Sequence, residues 1–264
     1  MSFASKYFQF DSVKSSDMEL YIVKIDSGFF STEVSGGQSF ISDKIPYKDV
    51  AFRYGTELQT LRFSITCSPL DKYWTDDFKF NIFNWLNGRE PKEFKTSDFM
   101  GKLCYCICTN TLEIYTAGND QGYITLEFES ITPYWLSNRQ IIIKDLTDLT
   151  VPYTFDINCK SNVQHPKYGN IYIPEKVEIQ LIGTSTSFTL TNLSDMGRVT
   201  QFTELSAGET ITMYPNTLRL ESSTGLNRLS NFNKNWFRLT LGKNILKINE
   251  KCIIAITTMY PLYM

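Results

Sequence analysis

The stretch "LRFSITC" (residues 61–67) alternates strictly. Leu61, Phe63, Ile65 and Cys67 fall on one side, and Arg62, Ser64 and Thr66 on the other. A period of two with one apolar and one polar face is the pattern of an antiparallel strand lying between a core and water. "YITLEFES" (residues 123–130) repeats it, with Ile124, Leu126 and Phe128 against Thr125, Glu127 and Glu129. Between them, "KLCYCICTN" (residues 102–110) sets Cys104, Cys106 and Cys108 on one face and Leu103, Tyr105 and Ile107 on the other. Two apolar faces predict a strand covered on both sides, in which cysteine serves as a small hydrophobe.

One segment breaks the β texture. In "WTDDFKFNIFNWLNG" (residues 74–88), Phe78, Ile82, Trp85 and Leu86 recur at helical spacing. Thr75 is placed to cap the N-terminus, Asp76 and Asp77 suit the positive end of the helix dipole, and Gly88 suits the stop. The segment predicts a single amphipathic helix of about three turns laid on a sheet. Capping accounts for the two aspartates without a metal or an acid–base site, since no third ligand is near in sequence.

After Phe128, "ESITPYWLSNRQ" reads as a strand running out into a link, which places a boundary within residues 131–138. The 264 residues, 42% of them apolar, are about right for two domains with real cores. We assign 1–135 to an N-terminal domain and 136–264 to a C-terminal one. The second half strings together "KVEIQLIG", "SFTLTNL", "ETITMYP", "TLRLESS", "NWFRLTLG", "NILKIN" and "KCIIAITTMY", with turns and no helix between them. That spacing predicts a β-sandwich of jelly-roll or galectin-like type. The fold class is therefore mainly all-β, with two sandwich domains, the first carrying one helix and a long β-hairpin.

Little points to chemistry. His165 is the single histidine, set in the Pro- and Gly-marked "NVQHPKYGN", and no CxxC pair accompanies the six cysteines. No Walker loop, GxGxxG, HExxH, GxSxG or EF-hand loop is present. "EVSGGQSF" around Gly36 and Gly37 and "GNDQGY" (residues 118–123) read as turns. The expectation is no catalytic residue, no cofactor and no metal. The net charge of −2 offers no electrostatic grip on nucleic acid or an anionic membrane. No apolar run approaches the ~20 residues that span a bilayer. The first ten residues lack the layout of a secretory leader, so synthesis in a cytoplasm is expected.

"FDSVKSSDMELYIVKID" (residues 10–26) resembles the N-terminal signature of the distal tail proteins of long-tailed, siphovirus-type bacteriophages. The matching residues are Phe10, Asp11, Val13, Ser15, Ser16, Asp17, Met18 and Leu20. "FESITPYW" (residues 128–135) is similar to the Pro-aromatic exit of that family's first domain. "RLSNFNKNWFRLTLGKNIL" (residues 228–246) is similar to its Asn-Phe-Asn, Trp-Phe-x-Leu and Gly-x-Asn pattern near the C-terminus. Glu19 departs from the family, which often has glycine in that turn. The resemblance implies a structural hub of the tail tip or baseplate and not an enzyme. It implies a homo-oligomeric ring, typically of six subunits, built by the first domain, with a galectin-like domain outside. The implied partners are the tail-tube protein, a tail-tip protein of the tail-associated lysin type and receptor-binding proteins. DNA would pass through without specific binding, and the protein would reside in the virion tail tip.

"GFFSTEVSGGQSFISDKI" (residues 28–45) reads as a hairpin with Phe29, Phe30, Phe40 and Ile41, too apolar to stand as a free sheet edge, and these four form the candidate ring interface. A carbohydrate-binding module that attaches to host-surface polysaccharide through the C-terminal sandwich is the alternative. A glycan hydrolase comes third, for want of any grouped carboxylates.

Overall fold

The computed structural model describes residues 6–23, 36–69, 72–110, 113–116 and 121–263. The chain divides into two compact domains, Met1–Leu136 with Tyr263–Met264, and Ser137–Leu262. The first contains β1 (Phe8–Phe10), β2 (Val13–Lys14), β3 (Tyr21–Ile22), β4 (Gln38–Asp43), β5 (Phe52–Leu58), β6 (Arg62–Ser68), α1 (Asp76–Leu86), β7 (Lys92–Thr96), β8 (Lys102–Cys108), β9 (Ile114–Thr116) and β10 (Gly122–Ser130). Its main sheet runs β2-β1-β7-β8-β10-β6-β3, with β9 added on β10, while β4 and β5 form a separate two-stranded ribbon.

The alternating stretches pair as their pattern requires. Phe63 sits opposite Phe128, Ile65 opposite Leu126 and Cys67 opposite Ile124, all buried on one face of β6 and β10. The sheet is far from flat. β7 and β6 are three strand spacings apart, ~14 Å in a flat sheet, yet the rings of Phe94 and Phe63 lie at 4.9 Å. β1 and β10 are equally far apart in the order, and Phe10 and Phe128 lie at 5.7 Å. The sheet therefore curls until its halves face each other across one aromatic core.

Helix α1 lies against that core. The Thr75 hydroxyl accepts the N–H of Phe78 at 3.4 Å, Ile82 and Leu86 are buried, and Trp85 stacks on Phe8 at 5.5 Å. The Trp85 Nε1–H donates to the Phe10 carbonyl at 3.0 Å, tying the helix to β1. Asp76 pairs with Lys79 at 3.2 Å, and among the described residues no His, Cys, Asp and Glu cluster could hold a metal. β8 is less enclosed than its sequence predicts. Leu103, Cys104 and Cys106 are buried, but Tyr105, Ile107 and Cys108 are only half covered.

After β11 (Trp135–Ser137) come β12 (Gln140–Asp145), β13 (Tyr153–Cys159), β14 (Ile171–Tyr172), β15 (Lys176–Leu181), β16 (Phe188–Asn192), β17 (Arg198–Phe202), β18 (Thr210–Tyr214), β19 (Arg219–Ser222), β20 (Leu239–Thr240), β21 (Gly242–Ile248), β22 (Cys252–Thr258) and β23 (Pro261–Leu262). One sheet runs β12-β22-β15-β18-β19 and a second β13-β21-β16-β17, with a short β14–β20 pair beside them. Val177, Ile179, Met213 and Ile254 from the first sheet share one core with Phe155, Leu190, Phe202 and Leu246 from the second. This is a β-sandwich. All six cysteines are free thiols; burial pushes Cys159 and Cys108 up to about 11 and Cys252 to about 12. The chain is thus mainly β with one α-helix among the described residues.

Candidate assembly surface

Among the described residues an apolar ribbon is formed by β4 and β5, and the first half of the hairpin expected over residues 28–45 lies outside them. Phe29 and Phe30 lie outside the described residues. Phe40 and Ile41, on β4, pair with β5 downstream, Phe40 opposite Thr56 and Ile41 opposite Gly55, with the chain reversing in residues 44–51. The register slips between Ile41 and Ser42, which bulges the ribbon at Tyr54 and sharpens its twist.

Gly36 and Gly37 stand at the root of this ribbon. The Gly36 N–H donates to the Pro133 carbonyl at 2.9 Å and the Gln59 N–H to the Gly37 carbonyl at 2.7 Å. A Cβ on Gly36 would meet the Gln59 carbonyl oxygen at 1.7 Å, so only glycine fits there. The Pro-aromatic exit of the first domain thereby holds the base of the ribbon.

Beyond its root the ribbon buries almost nothing. Phe40 is 68% and Tyr54 70% exposed, and Ile41, Val50, Phe52 and Leu58 are exposed with them. What polar structure it has is local: the Arg53 guanidinium lies 4.5 Å from the Phe40 ring centroid and donates to the Thr56 hydroxyl at 2.6 Å. A lone two-stranded ribbon is marginal in water, and one with apolar side chains this exposed invites a partner. The helix adds two aromatics that its sequence stripe left out. Phe80 and Phe83 are exposed on α1, where Ile114 and Ile124 join them around a shallow apolar groove. Six apolar residues in an eleven-residue helix exceed what one stripe can bury, which was the available signal.

The other singled-out residues hold the fold together. Ser15 Oγ accepts the Phe8 N–H at 3.2 Å, and the Leu20 N–H donates to the Ser15 carbonyl at 2.8 Å, closing the Ser-Ser-Asp-Met turn. Glu19, where the family often has glycine, has a φ of 54° in the left-handed region, so the turn keeps the glycine conformation without the glycine. In the C-terminal motif, Asn233 Nδ2 donates to the Val199 carbonyl at 2.9 Å, Trp236 packs edge-on against Phe232 at 5.0 Å, and Arg238 forks onto Asp195 at 2.6 and 3.0 Å. Buried Asn244 accepts the Thr240 N–H at 2.8 Å and donates to the Thr240 and Gly242 carbonyls.

His165 has structural work as well. Its Nδ1 accepts the N–H of Lys167 at 3.1 Å and of Tyr168 at 3.3 Å, inside a loop closed by reciprocal backbone bonds to Gly169. It is half-buried, not fully exposed. Burial first, and the Lys167 charge second, hold the imidazole below its ordinary pKa.

Residues 3–132 match the family described as phage tail protein N-terminal domain, and residues 153–258 the one described as phage tail C-terminal domain. The chain belongs to this phage tail protein family, a structural family and not an enzyme one, as the resemblance to distal tail proteins implied. It is 22% identical over 264 residues to the SPbeta prophage-derived uncharacterized protein YomH of Bacillus subtilis (strain 168), covering 97% of each chain. Its fold is that of SPP1 Dit, described as a paradigm of hub adsorption apparatus in phages infecting Gram-positive bacteria. There the TM-score is 0.65 at 10% identity, over 96% of this chain and 98% of that one. A chain of the phage P2 baseplate in its activated conformation with Ca aligns at a TM-score of 0.46 and 10% identity, over 96% and 97%.

Proposed function

We propose that this protein is the distal tail hub of a siphovirus-type tail tip. Copies form a closed ring, six in number, through the first domain. The ring joins the tail-tube protein on one side to the tail-tip and receptor-binding proteins on the other, leaves a channel for DNA, and is made in the host cytoplasm before it enters the virion. The observation that carries this reading is the β4–β5 ribbon, rooted at Gly36 and Pro133 and exposed along its apolar length. Head-to-tail contacts in a closed ring give every copy the same cover for such a ribbon. SPP1 Dit, a hub by its own description and alike in fold, supports the same role.

The test is the mass of the full-length protein in solution. The wild type is expected to be ring-sized. Phe40→Asp and Tyr54→Asp, at exposed positions, are expected to lose the ring while melting within a few degrees of the wild type. A ring that survives both substitutions overturns the assignment of the ribbon.

A further inference from the structure

The sandwich has four outer strands, and three of them are protected. β13 turns Thr154, Asp156 and Asn158 outward. β19 turns out Arg219 and Glu221. The edge of β17 is covered by the Asn231–Asn235 loop, whose Asn233 N–H bonds the Gln201 carbonyl and whose Asn231 carbonyl takes the Thr203 N–H. β12 is the exception. It pairs with β22 on one side only, and Ile141 and Ile143 stand outward, 60% and 62% exposed.

The backbone of β12 is also oriented for pairing. The Leu146 N–H donates to the Cys252 carbonyl at 2.9 Å, in register with the Gln140–Thr258 to Asp145–Ile253 ladder. Antiparallel ladders alternate. The even residues therefore face β22, and Ile141, Ile143 and Asp145 point their N–H and C=O groups away from it, where no strand among the described residues takes them. Natural edges carry a charge, a proline or a bulge at this point; β12 carries two isoleucines.

We infer that β12 pairs antiparallel with β12 of a second copy across a two-fold axis, in the register that sets Ile141 against Ile143. That register puts Arg139 of each copy opposite Asp145 of the other, so the outward face reads charge, isoleucine, isoleucine, charge with opposite signs meeting at both ends. Arg139 is held at the mouth of the strand by Glu175 at 3.0 Å, which fixes its positive charge beside β12. The Asp145 carboxylate is exposed beyond its bonds to Thr147. The neighbouring registers that respect the alternation keep a single isoleucine pair on the axis, Ile143 against Ile143 or Ile141 against Ile141, and lose both charge pairs. Self-complementarity of one six-residue strand is what an isologous contact requires.

This contact uses the second domain and does not depend on the ring. Light scattering of the full chain separates the two. The wild type is expected as two rings joined through β12, and Ile143→Lys should leave single rings, halving the mass with an unchanged melting curve. Phe40→Asp should leave a dimer, and both changes together a monomer. Asp145→Arg should weaken pairing roughly tenfold by opposing Arg139 with a like charge, and Arg139→Glu with Asp145→Arg should restore it. A mass unmoved by Ile143→Lys, or a charge swap that fails to restore pairing, overturns the inference. A mass halved by Ile143→Lys but unmoved by Phe40→Asp leaves it standing and overturns the ribbon's part in the ring.

Discussion

Arg228 and Glu209 form a two-point ion pair inside the second domain, Nη2 to Oε2 at 2.6 Å and Nε to Oε1 at 2.8 Å. Burial alone would raise the Glu209 pKa. The guanidinium, the Ser222 hydroxyl and the Ser206 N–H together outweigh burial and hold it down to about 2. Arg228→Ala strands a buried carboxylate and is expected to cost about 3–5 kcal/mol. The folded pKa lies below the ordinary 4.5, so the unfolded chain takes up the proton first as pH falls. The contribution is full above about 4.5 and fades toward 2. Urea unfolding between pH 7 and 3 should show this fall in the wild type and lose it in Arg228→Ala.

Trp85 both stacks on Phe8 and bonds the Phe10 carbonyl, whereas Lys79 reaches only Asp76 on the surface. Trp85→Ala should cost about 3 kcal/mol and Trp85→Phe about 1 kcal/mol, for the lost hydrogen bond. Lys79→Ala should cost under about 0.5 kcal/mol. Denaturant midpoints for the three variants check the order.

The φ of 54° at Glu19 makes a sharp comparison possible. Glycine adopts this conformation freely and a β-branched residue does not. Glu19→Gly should be neutral or stabilising by up to about 1 kcal/mol, even with the exposed Lys72 ion pair removed. Glu19→Val should destabilise by about 1–2 kcal/mol. Equal melting shifts would refute the strained-turn account.

His165 should lend the second domain a mild pH dependence near neutrality. Its folded pKa is below the unfolded one, so its stabilising contribution is present above about 6.5 and falls as pH drops from there. Protonation also blocks Nδ1 from accepting the N–H groups of Lys167 and Tyr168. His165→Ala should cost about 1 kcal/mol at pH 7.5, and the difference from wild type should shrink at pH 5.5 in thermal melts. A constant difference would sink the account.

Local pattern carried far into this fold and then stopped for identifiable reasons. The β6 and β10 stripes and the α1 stripe were legible because one face of each is buried and the other is wet. β13 is equally legible in "YTFDINC", where Phe155, Ile157 and Cys159 alternate with Thr154, Asp156 and Asn158. β12 hides its period, because isoleucine occupies both faces of "QIII". "NWFRLTLG" has the composition of a strand but contributes only Leu239–Thr240, its Trp236 and Phe237 filling core beside a loop held by Asn233 and Arg238. The partner of β4 was beyond local reading, since Phe40 could have met a strand on either side of it in sequence. Exposure of Phe80 and Ile141 is invisible in sequence, because an exposed apolar side chain and a buried one read alike.

The buried cysteines give each domain its own chemical clock. Cys67, Cys104 and Cys106 are enclosed in the first core and Cys159 and Cys252 in the second, and burial holds the protons of Cys67, Cys104, Cys159 and Cys252 more tightly than water does. A thiol reagent needs the thiolate and a path to it, so the closed protein ages slowly under oxidants. Labelling at each sulfur, read by mass spectrometry, then times how often that half of the chain opens.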